Sequence, residues 1–487
     1  MRLPCLLLLT TLLAGCTVGP DFKRPAAPAG QAYTPPAERQ TAMPAQPLAV
    51  IGEGPQLDWW RAFGSDELNA LVDRALAHNH SLAASDATLA AARQQLRAVA
   101  GKRLPQLDAN ARFDQEQVNL AAFGFNAAAL GASGNPEFQL YSVGGGVSYD
   151  LDLFGGLRRQ VEQAAAQAEA QQRQTEAAHL ALAGQVVGQV LGIAAIRARI
   201  ATQQAILEDD ARTLDLTRKR QQGGEGTLVE VLNAQSQYTA DRTVPPALDQ
   251  QLAEARHLLA ILVGVAPADL GPVDVDLAGL TLPMSLPVTL PSQLVHKRPD
   301  ILQSEAELHA ATAAIGIATA RLYPDITLGA TLTQATPAID KVLQNAFRGY
   351  DVFAGLTVPI FHGGTLKAQR AAVIDRAHAA NETYQQTVLN AFGQVADLLG
   401  ALQTDARTVD AQREAEAVAR HSLQLSRRSF AVGNSGILQV LDSQRLYQRA
   451  SADLVLARSA QYRDVARLYV ATAGGWTGDA LAAGTRP

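Results

Sequence analysis

Tyr141-Ser142-Val143-Gly144-Gly145-Gly146-Val147-Ser148-Tyr149-Asp150-Leu151-Asp152-Leu153 alternates apolar and polar positions from end to end. Tyr141, Val143, Val147, Tyr149, Leu151 and Leu153 fall on one side, and Ser142, Ser148, Asp150 and Asp152 on the other. A period of two predicts a strand with one apolar and one wet face, because successive side chains leave a strand on opposite sides. The pattern recurs at Ile326, Leu328, Ala330 and Leu332, again at Val352, Ala354, Leu356, Val358 and Ile360, and more weakly at Leu107, Ala109, Ala111 and Phe113. Strands of about ten residues with such faces suit a membrane β-barrel. A soluble sandwich with one solvated face carries the same pattern.

The start of the chain separates the two. Arg2 precedes the apolar run 6–13, and Leu13-Ala14-Gly15-Cys16 ends in small residues and a cysteine. This is the form of a secretory signal, too short to span a bilayer. The cysteine makes it a lipoprotein signal: cleavage after residue 15 would leave Cys16 to carry lipid. The other cysteine, Cys5, leaves with the signal, so the mature chain is expected to form no disulfide and no cysteine-based metal site. A net charge of −5 gives no footing for nucleic acid. Beyond the signal, no apolar run is expected to reach the roughly 20 residues of a membrane helix, so any crossing must be made by strands.

The body is written twice. Leu228-Val229-Glu230-Val231-Leu232-Asn233-Ala234-Gln235 resembles Ile437-Leu438-Gln439-Val440-Leu441-Asp442-Ser443-Gln444, and the segments around Pro105 and Pro324 also match. The order is kept at offsets of 209 and 219, which argues for duplication rather than a solenoid. The divisions expected are a signal at 1–15, a lipidated Pro-rich extended segment at 16–58, a first repeat at 59–265, a linker at 266–289, a second repeat at 290–476 and a tail at 477–487.

Each repeat reads as helix, two strands and a long helical hairpin. The first helices are expected at 68–103 and 290–322. The proline-free stretches 156–223 and 364–433 predict single helices that could reach about 100 Å. Ile193, Ile200, Leu207 and Leu214 step by sevens, while Val388, Phe392, Val395, Leu399, Leu402, Ala406 and Val409 step by fours and threes, which is coiled-coil spacing. Gly223-Gly224-Glu225-Gly226 and Gly433-Asn434-Ser435-Gly436 then turn each helix back onto a second one, over 228–263 and 437–473.

Four strands cannot close a membrane pore, and lipid does not tolerate open sheet edges. A ring of identical chains is the natural remedy, and three copies would bring twelve strands. The fold expected is therefore mainly α with membrane β: duplicated half-repeats, with four strands per chain in a twelve-stranded trimeric outer-membrane barrel.

In Cys16-Thr17-Val18-Gly19-Pro20-Asp21-Phe22-Lys23-Arg24-Pro25, Trp59-Trp60-Arg61-Ala62-Phe63, Leu151-Asp152-Leu153-Phe154-Gly155, Arg298-Pro299-Asp300-Ile301, Val440-Leu441-Asp442-Ser443-Gln444-Arg445 and Gly474-Gly475-Trp476, the chain resembles the outer membrane factors. These are the TolC superfamily of efflux ducts, and the likeness is greatest to the OprM/NodT-type lipoproteins. The resemblance implies a homotrimer in the outer membrane of a Gram-negative bacterium, continued into the periplasm by an α-helical barrel. It implies a periplasmic adaptor and an inner-membrane pump of the resistance-nodulation-division or major facilitator class as partners, and drugs or other small toxic compounds as cargo. It implies lipid on Cys16 and no other cofactor. Adaptor docking falls to the tips Gly223, Gly224, Glu225, Gly226, Gly433, Asn434, Ser435 and Gly436.

Relatives close at this end, some with an acidic residue six positions before the second tip glycine. Here that position is Arg427, and residues 417–432 contain no Asp or Glu. A salt-bridge latch is expected instead, drawn from Arg218, Arg427 and Arg428 and from Asp209, Asp210 and Asp215. An enzyme is not expected, since no HExxH, GxSxG or Walker-type pattern occurs. The competing reading, a lipid-anchored periplasmic coiled-coil scaffold, would leave the four amphipathic strands without a purpose.

Overall fold

The computed structural model describes residues 17–26, 32–35, 48–52, 54–119, 122 and 136–472. The signal at 1–15, Cys16, Gly474-Gly475-Trp476, the tail and most of the segment 119–139 lie outside the described residues. In chain order the elements are β1 (Leu48–Ile51), α1 (Asp66–His78), α2 (His80–Gly101), β2 (Gln106–Gln117), β3 (Glu137–Asp150), α3 (Gly156–Gln222), α4 (Leu228–Asp241) and α5 (Val244–Val263). They continue as β4 (Ser285–Val288), α6 (Pro291–Leu294), α7 (Pro299–Ala320), β5 (Asp325–Thr336), β6 (Arg348–Thr357), α8 (Thr365–Ala431) and α9 (Ile437–Ala471).

The chain divides into two compact units, and both repeats contribute to each. One holds residues up to Arg24, Ala90–Glu169 and Glu305–Thr383; the other holds Pro25–Leu89, Ala170–Ser304 and the chain from Tyr384.

The first unit carries the four-stranded antiparallel sheet, ordered β2-β3-β5-β6. β3 stops three residues short of the alternation that foretold it. Asp152 takes up a left-handed backbone (φ 46°), and its carboxylate accepts the amides of Leu157 at 2.7 Å and Arg158 at 2.9 Å. The strand therefore ends in order to cap α3. β6 is displaced from the expected 352–360: it begins at Arg348 and stops before Pro359, which has no amide to offer a ladder.

The first unit also holds a strap from the N-terminal segment. Arg159, only 4% exposed, donates to the carbonyls of Val18 and Gly19 and pairs with Asp21 at 2.7 Å and Glu162 at 2.6 Å. Phe22 stacks on His309 at 4.4 Å, and Arg24 reaches Glu305 at 2.6 Å.

In the second unit the spacing foretold burial only in part: Ile193 and Leu214 of α3 are buried while Ile200 and Leu207 are half-buried, and Phe392 and Leu399 of α8 are half-buried too. Val388, Val395, Leu402 and Val409 of α8 are all buried. α3 buries Val186, Val187, Val190, Leu191 and Ile193 completely. This stretch corrects one expectation: α3 contains an 18-residue window apolar enough, by length and composition, to cross a membrane. That window is 61% buried against the rest of the chain, so its hydrophobicity fills a core. Trp59 stacks on Tyr469 at 5.3 Å and Phe63 lies 6.2 Å from Tyr462, which closes the other side.

Three expected helices are broken. The run 68–103 splits at Asn79, whose Oδ1 accepts the Leu82 amide at 3.0 Å while its Nδ2 donates to the Leu262 carbonyl at 2.8 Å. The run 228–263 splits before Pro245-Pro246, and 290–322 before Pro299. The parallel pairing of β1 with β4 was not foreseen.

Candidate functional site

Register turns four patterned strands into a wall. Leu107, Val147, Ala330 and Val352 form one cross-strand row, and Ala109, Gly145, Leu332 and Tyr350 the next apolar one. Between them runs a polar row of Asp108, Gly146, Thr331 and Asp351. Every strand thus turns its apolar set to the same side, which a slip of one residue would reverse. Phe353 and, toward one end of β3, Phe138 and Leu140 are exceptions on the wet side; the Phe353 ring lies over Gly329, where a Cβ would strike it.

The apolar face has membrane dimensions. From Tyr141 to Tyr149 β3 covers roughly 26 Å, or about 20 Å of height at the usual barrel tilt, near the ~25 Å apolar band of outer-membrane barrels. Aromatic pairs sit toward both ends of the sheet: Phe113 with Tyr141 at 4.7 Å, and Phe154 stacked on Tyr323 at 4.7 Å. Aromatic residues mark both interfaces of such bands. The edge strands β2 and β6 run in opposite directions, since each of the four alternates with its neighbour. β6 of one copy can therefore continue antiparallel onto β2 of the next, and repetition closes the ring.

The helical tips are built twice to one plan. Glu225 donates its amide to the Arg220 carbonyl at 2.9 Å and Gly224 to Gln221 at 3.1 Å. Exactly 209 positions on, Asn434 donates to Ser429 at 2.9 Å and Gly433 to Phe430 at 3.1 Å. Both are Schellman closures, with Gly224 (φ 80°) and Gly433 (φ 79°) in the left-handed position that glycine occupies without steric cost. The starts of the return helices differ. Thr227 caps α4 in a full capping box with Glu230, whereas α9 begins at Gly436 with no side-chain cap. Leu228, Val229 and Leu232 near one tip, and Val432 and Leu438 at the other, are exposed.

The charged groups near the tips sort themselves clearly. Arg427 of α8 pairs with Asp209 of α3 at 3.0 Å. Asp215 instead pairs with Lys219 of its own helix at 2.7 Å. Arg218 and Arg428 are exposed and form no ion pair among the described residues. Arg220 lies over the Phe430 ring at 4.4 Å and donates to its carbonyl at 2.9 Å, so a cation of one helix satisfies the C-terminus of the other.

Asp210, 2% exposed, forms no ion pair among the described residues and accepts from Gln444 of α9. Asp241 of α4 lies within hydrogen-bond reach of it. Burial first, then the neighbouring Asp241 and Asp209, push the Asp210 carboxyl up to about 8, against the pull of Arg427. Sequence reasoning missed Asp241 and Gln444, which meet Asp210 only through folding, and Gln448, which donates to Asp241.

The outer membrane efflux protein profile matches residues 71–265 and 290–474, one match per repeat. The pyoverdine export outer membrane protein OpmQ of Pseudomonas aeruginosa is 30% identical over 421 residues, covering 86% of this chain and 88% of that protein. The probable efflux pump outer membrane protein TtgC of Pseudomonas putida is 28% identical over 475 residues, covering 96% and 94%. The solved structure of the outer-membrane channel OprN superposes with a TM-score of 0.84 at 26% identity, over 95% of this chain and 100% of that one. Proteins of this kind form trimers and act with an adaptor and an inner-membrane pump. With the strand register, the doubled tips and both halves of the profile in agreement, the chain belongs to the outer membrane efflux protein family and is the outer-membrane exit duct of a tripartite efflux system.

Proposed function

We propose that this duct passively conducts small organic compounds, drugs and other toxic molecules among them, with energy supplied by a pump of the resistance-nodulation-division or major facilitator class. The observation that carries this reading is the polar face, continuous across Asp108, Thr331 and Asp351 and backed by an apolar one. A wet wall without a shaped pocket selects by width and lining charge. Relatives named for pyoverdine, toluene and antibiotics fit such loose selection.

The exposed apolar side chains at the tips support docking of the adaptor there. Purified protein is expected to form conducting pores in planar bilayers and to restore compound resistance to a strain lacking it. Val432→Asp with Leu438→Asp should keep the pores and lose the resistance. Retained resistance would remove these tips from docking, and absence of pores in the unaltered protein would defeat the duct reading. The strap from Thr17 to Arg24, tied down where the Val18 amide donates to the Phe154 carbonyl at 3.1 Å, supports a lipid on Cys16. Intact-mass analysis tests it through loss of the acyl mass in Cys16→Ser.

The Asp209–Arg427 pair supports a latch between α3 and α8. Both side chains are about a quarter to a third exposed, so the pair holds on the order of 1 kcal/mol after solvent screening. Arg427→Ala should raise the resting conductance, and Asp209→Ala should do the same with no further rise in the double variant. An unchanged resting level in Arg427→Ala would remove it from the latch.

A further inference from the structure

We infer that Asp210 and Asp241 share a single proton, and that this proton clasps α3 to α4 and keeps the periplasmic end of the duct shut. The inference rests on the reading of the tips as the gated end. Gln444 Nε2 donates to Oδ1 of Asp210, and Gln237 and Gln448 donate to Oδ2 of Asp241 at 2.8 and 3.3 Å. Oδ2 of Asp210 is then left buried with no donor of its own. An ionised carboxylate in that position would be both unsatisfied and set against a second negative charge. A protonated one becomes a donor, and the acceptor within reach is Asp241.

The groups that face Asp210 come from every helix around it. α4 contributes Asp241, its own helix Asp209, and α8 Arg427, while α9 presents the uncharged Gln444 to Asp210 and Gln448 to Asp241. Arg427 forms its ion pair with Asp209, and its buried Nη2 makes no hydrogen bond to Asp210, so in this arrangement it does not supply the missing donor. The twin hairpin shows that packing alone does not demand the acids. The positions 209 residues beyond Asp210 and Asp241 are Ala419 and Ala450, and that hairpin folds with the same tip geometry.

The sign follows from the proton count. Between about pH 4 and about pH 8 the folded tip holds a proton that an unfolded aspartate would release, so the clasp weakens as pH rises through that window. On release the Oδ2–H bond of Asp210 breaks, the proton passes to periplasmic hydroxide to form water, and the electron pair stays on Oδ2. Two carboxylates then face each other across the α3–α4 seam, beside the latch.

The test is resting conductance of the purified trimer in planar bilayers from about pH 6 to about pH 9. The unaltered duct is expected to open on the alkaline side, its open population rising by up to about tenfold per pH unit, as one proton allows. Asp210→Asn, which keeps a donor toward Asp241, should stay shut throughout, and so should Asp241→Asn. A flat profile in the unaltered duct, or a step that survives in Asp210→Asn, overturns the clasp. Infrared difference spectra of the unaltered protein need no variant to fold: the carbonyl stretch of a protonated carboxyl should vanish between about pH 7 and about pH 9, and its absence at neutral pH also overturns the inference. The second acid pair, Asp405 with Asp464, does not confuse the reading, because burial and Asp464 push Asp405 only to about 6. The latch fails separately: an unaltered resting level in Arg427→Ala defeats the latch and leaves the alkaline step of the unaltered duct standing.

Discussion

Arginine in place of Val352 is expected to abolish the assembled duct, whereas arginine in place of Thr331 should leave it whole. The two sites lie on neighbouring strands one register step apart, since Val352 pairs with Ala330 and Thr331 with Asp351. They differ in the face they occupy. Val352 is 74% exposed in the single chain, in the middle of the apolar band where only lipid can cover it. A cationic side chain at the midplane of such a band costs about 2–4 kcal/mol, and threefold symmetry multiplies that to roughly 6–12 kcal/mol per assembly. That approaches the whole stability of an ordinary domain. Heat-modifiable trimers on semi-native gels should be lost in Val352→Arg and kept in Thr331→Arg, whose charge should instead shift ion selectivity toward anions. Trimers surviving in both would mean that the apolar rows do not face lipid.

Gly264→Val should strongly destabilise the second unit. Gly264 closes α5 in the left-handed region at φ 84°, donating to Ala260 and Ile261. A Cβ there would strike the His78 carbonyl oxygen and come within 2.8 Å of its carbonyl carbon. Three helix ends meet at this point: α1 finishes at His78, Asn79 caps α2, and the same Asn79 donates to Leu262 near the end of α5. None can retreat without pulling the others. The left-handed penalty and the overpacking together amount to roughly 2–5 kcal/mol. Gly271→Val, where a Cβ meets nothing within 4 Å, should stay within about 0.5 kcal/mol. Thermal melts of the detergent-solubilised protein, followed by circular dichroism, compare the two. Coincident melts would show that the junction yields.

Much of this was legible before folding, for a physical reason. A half-wet strand must alternate, so Tyr141, Val147, Ile326 and Leu328 declared their faces locally. The left-handed turns announced themselves through Gly224 and Gly433, because few other residues adopt that backbone cheaply. Register was invisible: β3 meets β5 across more than 170 residues of chain, and no local pattern dictates that Val147 should face Ala330. The break at Asn79 was hidden because apolar periodicity continues on both sides of it, and only the Leu262 carbonyl gives the asparagine its purpose. Arg427 could be suspected from the lack of acids around it, and Asp209 was among the partners considered. Asp210 was assigned to the same arginines, and nothing near it in the chain points to Gln444, 234 positions away.

The unequal starts of the two return helices have a consequence for whatever seats itself on the rim. A threefold assembly offers six turns, of which three begin with a hydroxyl cap at Thr227 and three with a bare glycine at Gly436. A companion ring of six identical subunits would therefore find only quasi-equivalent seats, and neighbouring subunits would have to settle into them differently.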